Sequence, residues 1–123
     1  MSTGKLNSSA SLGERQRRYN ELKKSIVKLG YVCPGSVVER YMPCGKSNCR
    51  CAARPANRHG PYYEWSRKVH GKTVTIRLSE QAAELYKEFT RNYRICKKLF
   101  NQMQSSSMGV AKTMVEDMKV KRG

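Results

Sequence analysis

Cys44-Gly45-Lys46-Ser47-Asn48-Cys49-Arg50-Cys51 is followed by His59-Gly60-Pro61, so three thiols and an imidazole fall within 16 residues. That donor set suits a tetrahedral Zn²⁺ site, because thiolate and imidazole both bind this borderline-soft ion well. The spacing is C-x4-C-x-C. Gly45 and Asn48 tolerate the dihedrals of a tight turn in which backbone N–H groups point at sulfur. In extended backbone Cys49 and Cys51 face one way and Arg50 the other. The expected ligands are Cys44, Cys49, Cys51 and His59. Cys33, eleven residues before Cys44, is the alternative to His59 as fourth ligand. A closed four-ligand site adds folding free energy and does no chemistry.

The same loop carries Lys46, Arg50, Arg54 and Arg58. The whole chain holds 25 Lys and Arg against 9 Asp and Glu, a formal net charge of +16. Sixteen of the basic and four of the acidic residues precede Ser79, so the excess gathers with the cysteines. Such a surface attracts phosphate and loses that attraction in salt. A metal-ordered loop would present these cations to nucleic acid, DNA before RNA.

At 123 residues and 38% hydrophobic content the chain has room for one thin core, the kind a metal staple helps. No apolar run reaches the length of a signal core or membrane span. A reducing cytoplasm, at the nucleoid if DNA is the partner, is the expected location, where clustered thiols favour metal over disulfide.

The elements that must hold the loop follow from pattern. Residues 1–10 read as a disordered tail. Ser11 and Glu14 form a capping box, and a helix runs to about Leu29 on a stripe of Tyr19, Leu22, Ile26 and Leu29. Arg15, Arg17, Arg18, Lys23, Lys24 and Lys28 fall largely off that stripe. Ser36–Met42 reads as a short strand. Tyr62–Val69 and Lys72–Leu78 flank His70-Gly71, a type I′ hairpin. The register puts Tyr63, Trp65, Arg67, Val74, Ile76 and Leu78 on an inward face. The outward face holds Tyr62, Glu64, Ser66, Lys68, Thr73, Thr75 and Arg77. Ser79 caps a long helix to about Met103, whose stripe includes a core thiol, Cys96. Ser105-Ser106-Ser107 is expected to break the chain before a short basic helix. The expectation is an α+β fold: N-terminal helix, short strand, zinc-knuckle-like loop, β-hairpin, long C-terminal helix and a short terminal helix. Residues 11–104 form one zinc-stapled domain, and 105–123 a linker and short helix.

Pro43–Ala52 with His59-Gly60-Pro61-Tyr62-Tyr63 resembles a family of small uncharacterised bacterial proteins that share a CGKxxCRCA loop, an HGPYY-type segment, a hairpin and a long helix. Leu29-Gly30 and Pro34-Gly35-Ser36 fit the same pattern, so the resemblance spans about Leu29 to Met103. It implies a link to mobile elements and little biochemistry. The hairpin followed by a helix is also similar in outline to the arm-binding domains of tyrosine recombinases, which read DNA with a sheet.

Three function classes remain. The first is an accessory or regulatory DNA-binding protein. Lys68, Thr73, Thr75 and Arg77 would touch base edges or phosphate, beside Lys46, Arg50, Arg54 and Arg58. RNA binding is its variant, with Tyr62, Tyr31 or Tyr41 as stacking platforms. The second is a non-catalytic adaptor or dimerising scaffold, meeting a protein partner or a second copy through the helix stripes. The third is an enzyme. No phosphate loop, serine elbow or HExxH occurs, and three cysteines plus a water would need Glu64 as base, so catalysis is not expected. Neither a small-molecule substrate nor a membrane is expected as a partner.

Overall fold

The computed structural model describes residues 10–43, 45–52, 54 and 59–122, with the backbone alone at 51, 121 and 122. The elements are α1 (Leu12–Val27), β1 (Ser36–Met42), a short 3-10 turn (Arg50–Ala52), β2 (His59–Val69), β3 (Lys72–Leu78) and α2 (Glu80–Arg122). The fold is α+β. The tail at residues 1–9 lies outside the described residues. Contacts gather in two units: one spans Tyr31–Tyr93, and the other joins the segment up to Gly30 with the segment from Arg94 onward.

The first unit is an antiparallel sheet in the order β1-β2-β3, with the first turns of α2 against it. The β2–β3 register matches the turn chemistry residue for residue: Tyr63 faces Leu78, Trp65 faces Ile76 and Val69 faces Lys72. His70 and Gly71 take positive φ values of 50° and 80°, as a type I′ turn requires. β1 adds to the other edge of β2, pairing Val37 with Trp65 and Arg40 with Tyr62.

Trp65 organises the inward face. Its indole N–H donates to the Pro34 carbonyl at 2.7 Å, and its ring packs 4.8 Å from that of Tyr86 on α2. The Arg67 guanidinium lies 4.2 Å over the same ring. Arg67 Nη1 is buried with no hydrogen-bond partner among the described residues, so stacking is the contact that offsets its desolvation. Ile76 stays 41% exposed, because the helix covers β2 better than β3. Gly35 turns the chain under this face at φ +89°, and a Cβ there would overlap the Ser66 carbonyl oxygen. The Cys33 N–H donates to the Phe89 carbonyl and the Asn92 amide to the Tyr31 carbonyl, which ties this entry segment to the helix. Trp65→Ala should cost about 3–5 kcal/mol, since it empties the site where sheet and helix meet. Urea denaturation measures this, and a loss below about 1 kcal/mol would place the organising contact elsewhere.

In the second unit Ser11 caps α1. Ser11 Oγ accepts from the Glu14 N–H and donates to the Glu14 carboxylate, both at 3.2 Å. Two sequence expectations need correction here. Arg15, expected largely off the apolar stripe, is 8% exposed. The inward row of α1 repeats with alternating steps of three and four, through Leu12, Arg15, Tyr19, Leu22 and Ile26, and Arg15 occupies one of its places. The serine run does not break the helix, and the terminal helix is not separate from the long one: α2 is continuous over 43 residues. Ser106 is buried at 6% exposure in the row Leu99, Met103, Ser106, Val110 and Thr113. Packing of that row outweighs the weak serine penalty, roughly 0.5 kcal/mol per residue.

Candidate metal centre and nucleic-acid interface

The loop after β1 folds tightly around Cys49. Gly45 takes φ +88°, the Cys49 N–H donates to the Lys46 carbonyl at 3.1 Å, and the Ala52 N–H donates to the Cys49 carbonyl at 3.0 Å. These successive turns bring the Cys49 thiol out toward β2. His59 Nε2 lies 3.1 Å from Cys49 Sγ, although ten residues separate them.

A bulge aims the histidine. Pairing steps from Arg40–Tyr62 to Met42–His59, so Gly60 and Pro61 together oppose Tyr41. Proline, which lacks an N–H, suits such an unpaired position. Gly60 has φ +149°, and a Cβ would meet the Arg40 carbonyl oxygen at 2.7 Å and the Tyr41 ring at 2.9 Å. The Gly60-Pro61 peptide is cis. The His-Gly-Pro sequence therefore fits one job: it lays the strand tightly on β1 while leaving the imidazole at the cysteine loop.

The pair brings a soft and a borderline donor together. Two tetrahedral ligands at ordinary Zn–S and Zn–N lengths sit about 3.5 Å apart, so the observed 3.1 Å is the shorter contact of a thiol hydrogen-bonded to an imidazole. A thiol beside an imidazole is also the start of a cysteine nucleophile, but three cysteines in one short loop favour metal. Cys44 and Arg58 lie outside the described residues, as does the thiol of Cys51. Among the described residues no group of three or more His, Cys, Asp or Glu gathers to hold a metal. Cys33 is half-buried in the segment whose backbone binds α2 at Phe89. His59 is a residue brought to Cys49. Lys46, Arg50 and Arg54 are exposed around the loop.

The second site is the sheet face turned away from α2. It carries Tyr62, Glu64, Ser66 and Lys68 from β2, and Thr73, Thr75 and Arg77 from β3, as the alternation requires. The added strand contributes Arg40, which the sequence reading missed. Arg40 Nε binds Glu64 Oε1 at 2.6 Å, with the arginine side chain 53% exposed and the glutamate 19%. This half-exposed pair is worth about 0–1 kcal/mol of stability. Its main consequence is positional: the one acid on the face is neutralised and one guanidinium is held in place. The Arg77 guanidinium sits 4.4 Å over the Tyr62 ring, which holds a second. The Ser66 and Thr75 hydroxyls meet at 2.7 Å. Lys68 and Thr73 are exposed. At the rim, repulsion from the Glu39 carboxylate, which also accepts from the Tyr41 hydroxyl at 3.3 Å, raises the Tyr41 pKa and keeps the phenol protonated. The signal for Arg40 was the alternation of β1 itself: pairing Arg40 with Tyr62 puts it on the outward face.

A family model described as Domain of unknown function (DUF6788) matches residues 12–88. The chain belongs to this family. The match spans α1, the sheet, the cysteine loop and the first turns of α2, so both candidate sites lie in the part common to DUF6788 proteins. No curated protein and no solved structure gives a significant match. Among the described residues no helix is long and apolar enough to cross a membrane.

Proposed function

We propose that the chain is a zinc-stapled DNA-binding protein that acts as an accessory or regulatory factor, binding rather than catalysing. The carrying observation is the open sheet face, where two arginines are pre-positioned by Glu64 and Tyr62 among hydroxyls and Lys68. Strands lie about 4.8 Å apart, so the outer strand axes of a three-stranded face are about 10 Å apart, on the scale of a major groove about 12 Å wide. Arg40 and Arg77 then reach base edges, where a guanidinium pairs bidentately with guanine. Thr73 and Thr75 take thymine methyls or base edges. Lys46, Arg50 and Arg54 grip phosphate beside them.

Zinc at Cys44, Cys49, Cys51 and His59 supplies structure only. The ligand-bearing His59 is joined through the Gly60-Pro61 bulge to Tyr62, the cross-strand neighbour of Arg40. Ordering the loop therefore fixes one edge of the reading face. A link to mobile elements is in keeping with the resemblance and with the form of recombinase arm-binding sheets.

The first test is salt dependence. Lys68→Ala should lower duplex-DNA affinity on every sequence and reduce the slope of log K against log salt by about 1. Titration by fluorescence anisotropy at three salt concentrations measures both. An unchanged slope would move the phosphate contacts off this face, and preference for single-stranded RNA would make stacking on Tyr62 the better account.

A further inference from the structure

The helical unit carries a surface that DNA binding leaves unused. Two cavities of about 410 and 440 Å³ share Tyr19 of α1 and Ser107 of α2. Their walls include Phe100, Met108, Val110 and Met114. Phe100 is 54% exposed, Met108 64% and Met114 39%, so this is a continuous apolar strip rather than scattered single residues. A third cavity of about 530 Å³ shares Asn20 with the first and continues along Lys23, Lys24, Val27 and Lys28. From Gln16 to Val27 the groove follows α1 for about 16 Å, three turns of a helix.

Charge on the rims is basic in excess. Lys23, Lys24 and Lys28 border the groove on α1. Helical spacing puts Lys97, Lys112 and Lys119 on the flank of the α2 strip away from α1. By the same spacing Glu14 and Glu21 share a face with Lys28, Glu116 follows Lys112 by one turn, and Asp117 follows Met114 by one turn, so acids stand among the rim cations and the lysines are in excess. Over residues 10–30 and 94–122 basic residues outnumber acidic ones by 13 to 4. A second copy would bring an equally basic rim against this one. A phosphate backbone would leave the methionines and Phe100 unsatisfied.

We infer that this groove docks an amphipathic α-helix of a partner protein, apolar on the face it inserts and acidic on its flanks. Apolar anchors at helical spacing fill the groove, as in other helix-in-groove complexes, and flexible methionines adapt to their shape. Acidic flanks meet the lysine rims and speed the encounter. The chain then links DNA, held by its sheet, to a protein held by its helices.

The test uses the full-length zinc-loaded protein and a labelled synthetic peptide of about 18 residues, leucine at i, i+3, i+4 and i+7 and glutamate at most other places. A scrambled peptide of the same composition is the comparison. The ordered peptide should bind at least about tenfold tighter than the scrambled one, a gap of 1.4 kcal/mol. Met108→Glu with Met114→Glu should remove at least about tenfold of that affinity. Both positions are exposed, so far-UV circular dichroism and duplex binding should stay at parent levels. Lys23→Ala with Lys24→Ala, which leaves the floor intact, should weaken the peptide mainly at low salt. Equal affinity for the scrambled peptide would reduce the groove to bulk charge and overturn the inference. So would a dimer at micromolar concentration that Met114→Glu separates, since a second copy would then be the occupant. Binding to phosphatidylserine vesicles that the methionine substitutions abolish and the peptide cannot displace would overturn it in favour of a lipid surface.

Discussion

Cys49→Ser protein, dialysed against buffer without metal, should retain far less than one zinc per chain, and the parent should retain one. Cys49 is the thiol that the loop turns toward His59, at 3.1 Å. A serine hydroxyl at that place is a hard, weakly acidic donor and a poor zinc ligand. Changes outside the ligand shell cost metal sites about 10–100-fold in affinity, so removing a ligand exceeds that. Because binding free energy of a structural zinc is folding free energy, the variant also melts at lower temperature. The sheet and the first turns of α2 do not depend on the loop alone, since Trp65 and Tyr86 join them. The variant should therefore keep helical signal while losing protection around β1 and the start of β2. Metal analysis and hydrogen exchange measure both effects. Cys33→Ser should leave zinc in place; zinc lost from Cys33→Ser and kept by Cys49→Ser would transfer the centre to the other thiol.

The second large effect is on DNA. Arg40→Ala with Arg77→Ala should lower affinity for a preferred duplex by about 2–6 kcal/mol, taking about 1–3 for each bidentate base contact. Non-specific binding should fall much less, because Lys46, Arg50, Arg54 and Lys68 remain. The arginine pair thus removes sequence preference, whereas Lys68→Ala weakens all sequences alike. Glu64→Gln is the informative companion. It releases Arg40 from its ion pair without deleting it, so specificity should drop while the salt slope stays. A selection from random duplexes followed by anisotropy on the winner supplies the measurement. If the double variant keeps its preference, the reading surface is not this face.

Much of the architecture was legible because local chemistry fixed it. His70-Gly71 permits one tight turn, and that turn sets every pair from Val69–Lys72 to Tyr63–Leu78. Ser11 and Ser79 mark helix starts through side-chain oxygens that accept from Glu14 and Ala82 N–H groups. What sequence could not give was set by tertiary contact. Ser105–Ser107 look like a break by propensity, yet Ser106 is buried on a packed row and the helix runs through it. Arg15 looks solvated by type but completes the alternating row of α1. Arg40 is not legible from the sequence because a short strand at Ser36–Met42 does not show which strand it pairs with; pairing with β2 makes it the third strand of the face. The His59 side of the loop was legible through motif; its geometry depends on the bulge at Gly60-Pro61, which only pairing with β1 reveals.

The central claim is that a zinc-ordered loop and the open sheet face act together on DNA. The most direct measurement is duplex affinity of the zinc-loaded and metal-stripped protein across a salt series, with Arg40→Ala/Arg77→Ala alongside. The account predicts salt-steep binding by the loaded protein, a marked loss on stripping that added zinc restores, and loss of sequence preference in the arginine variant. Equal binding with and without metal, together with an arginine variant that matches the parent at every salt concentration, would contradict it.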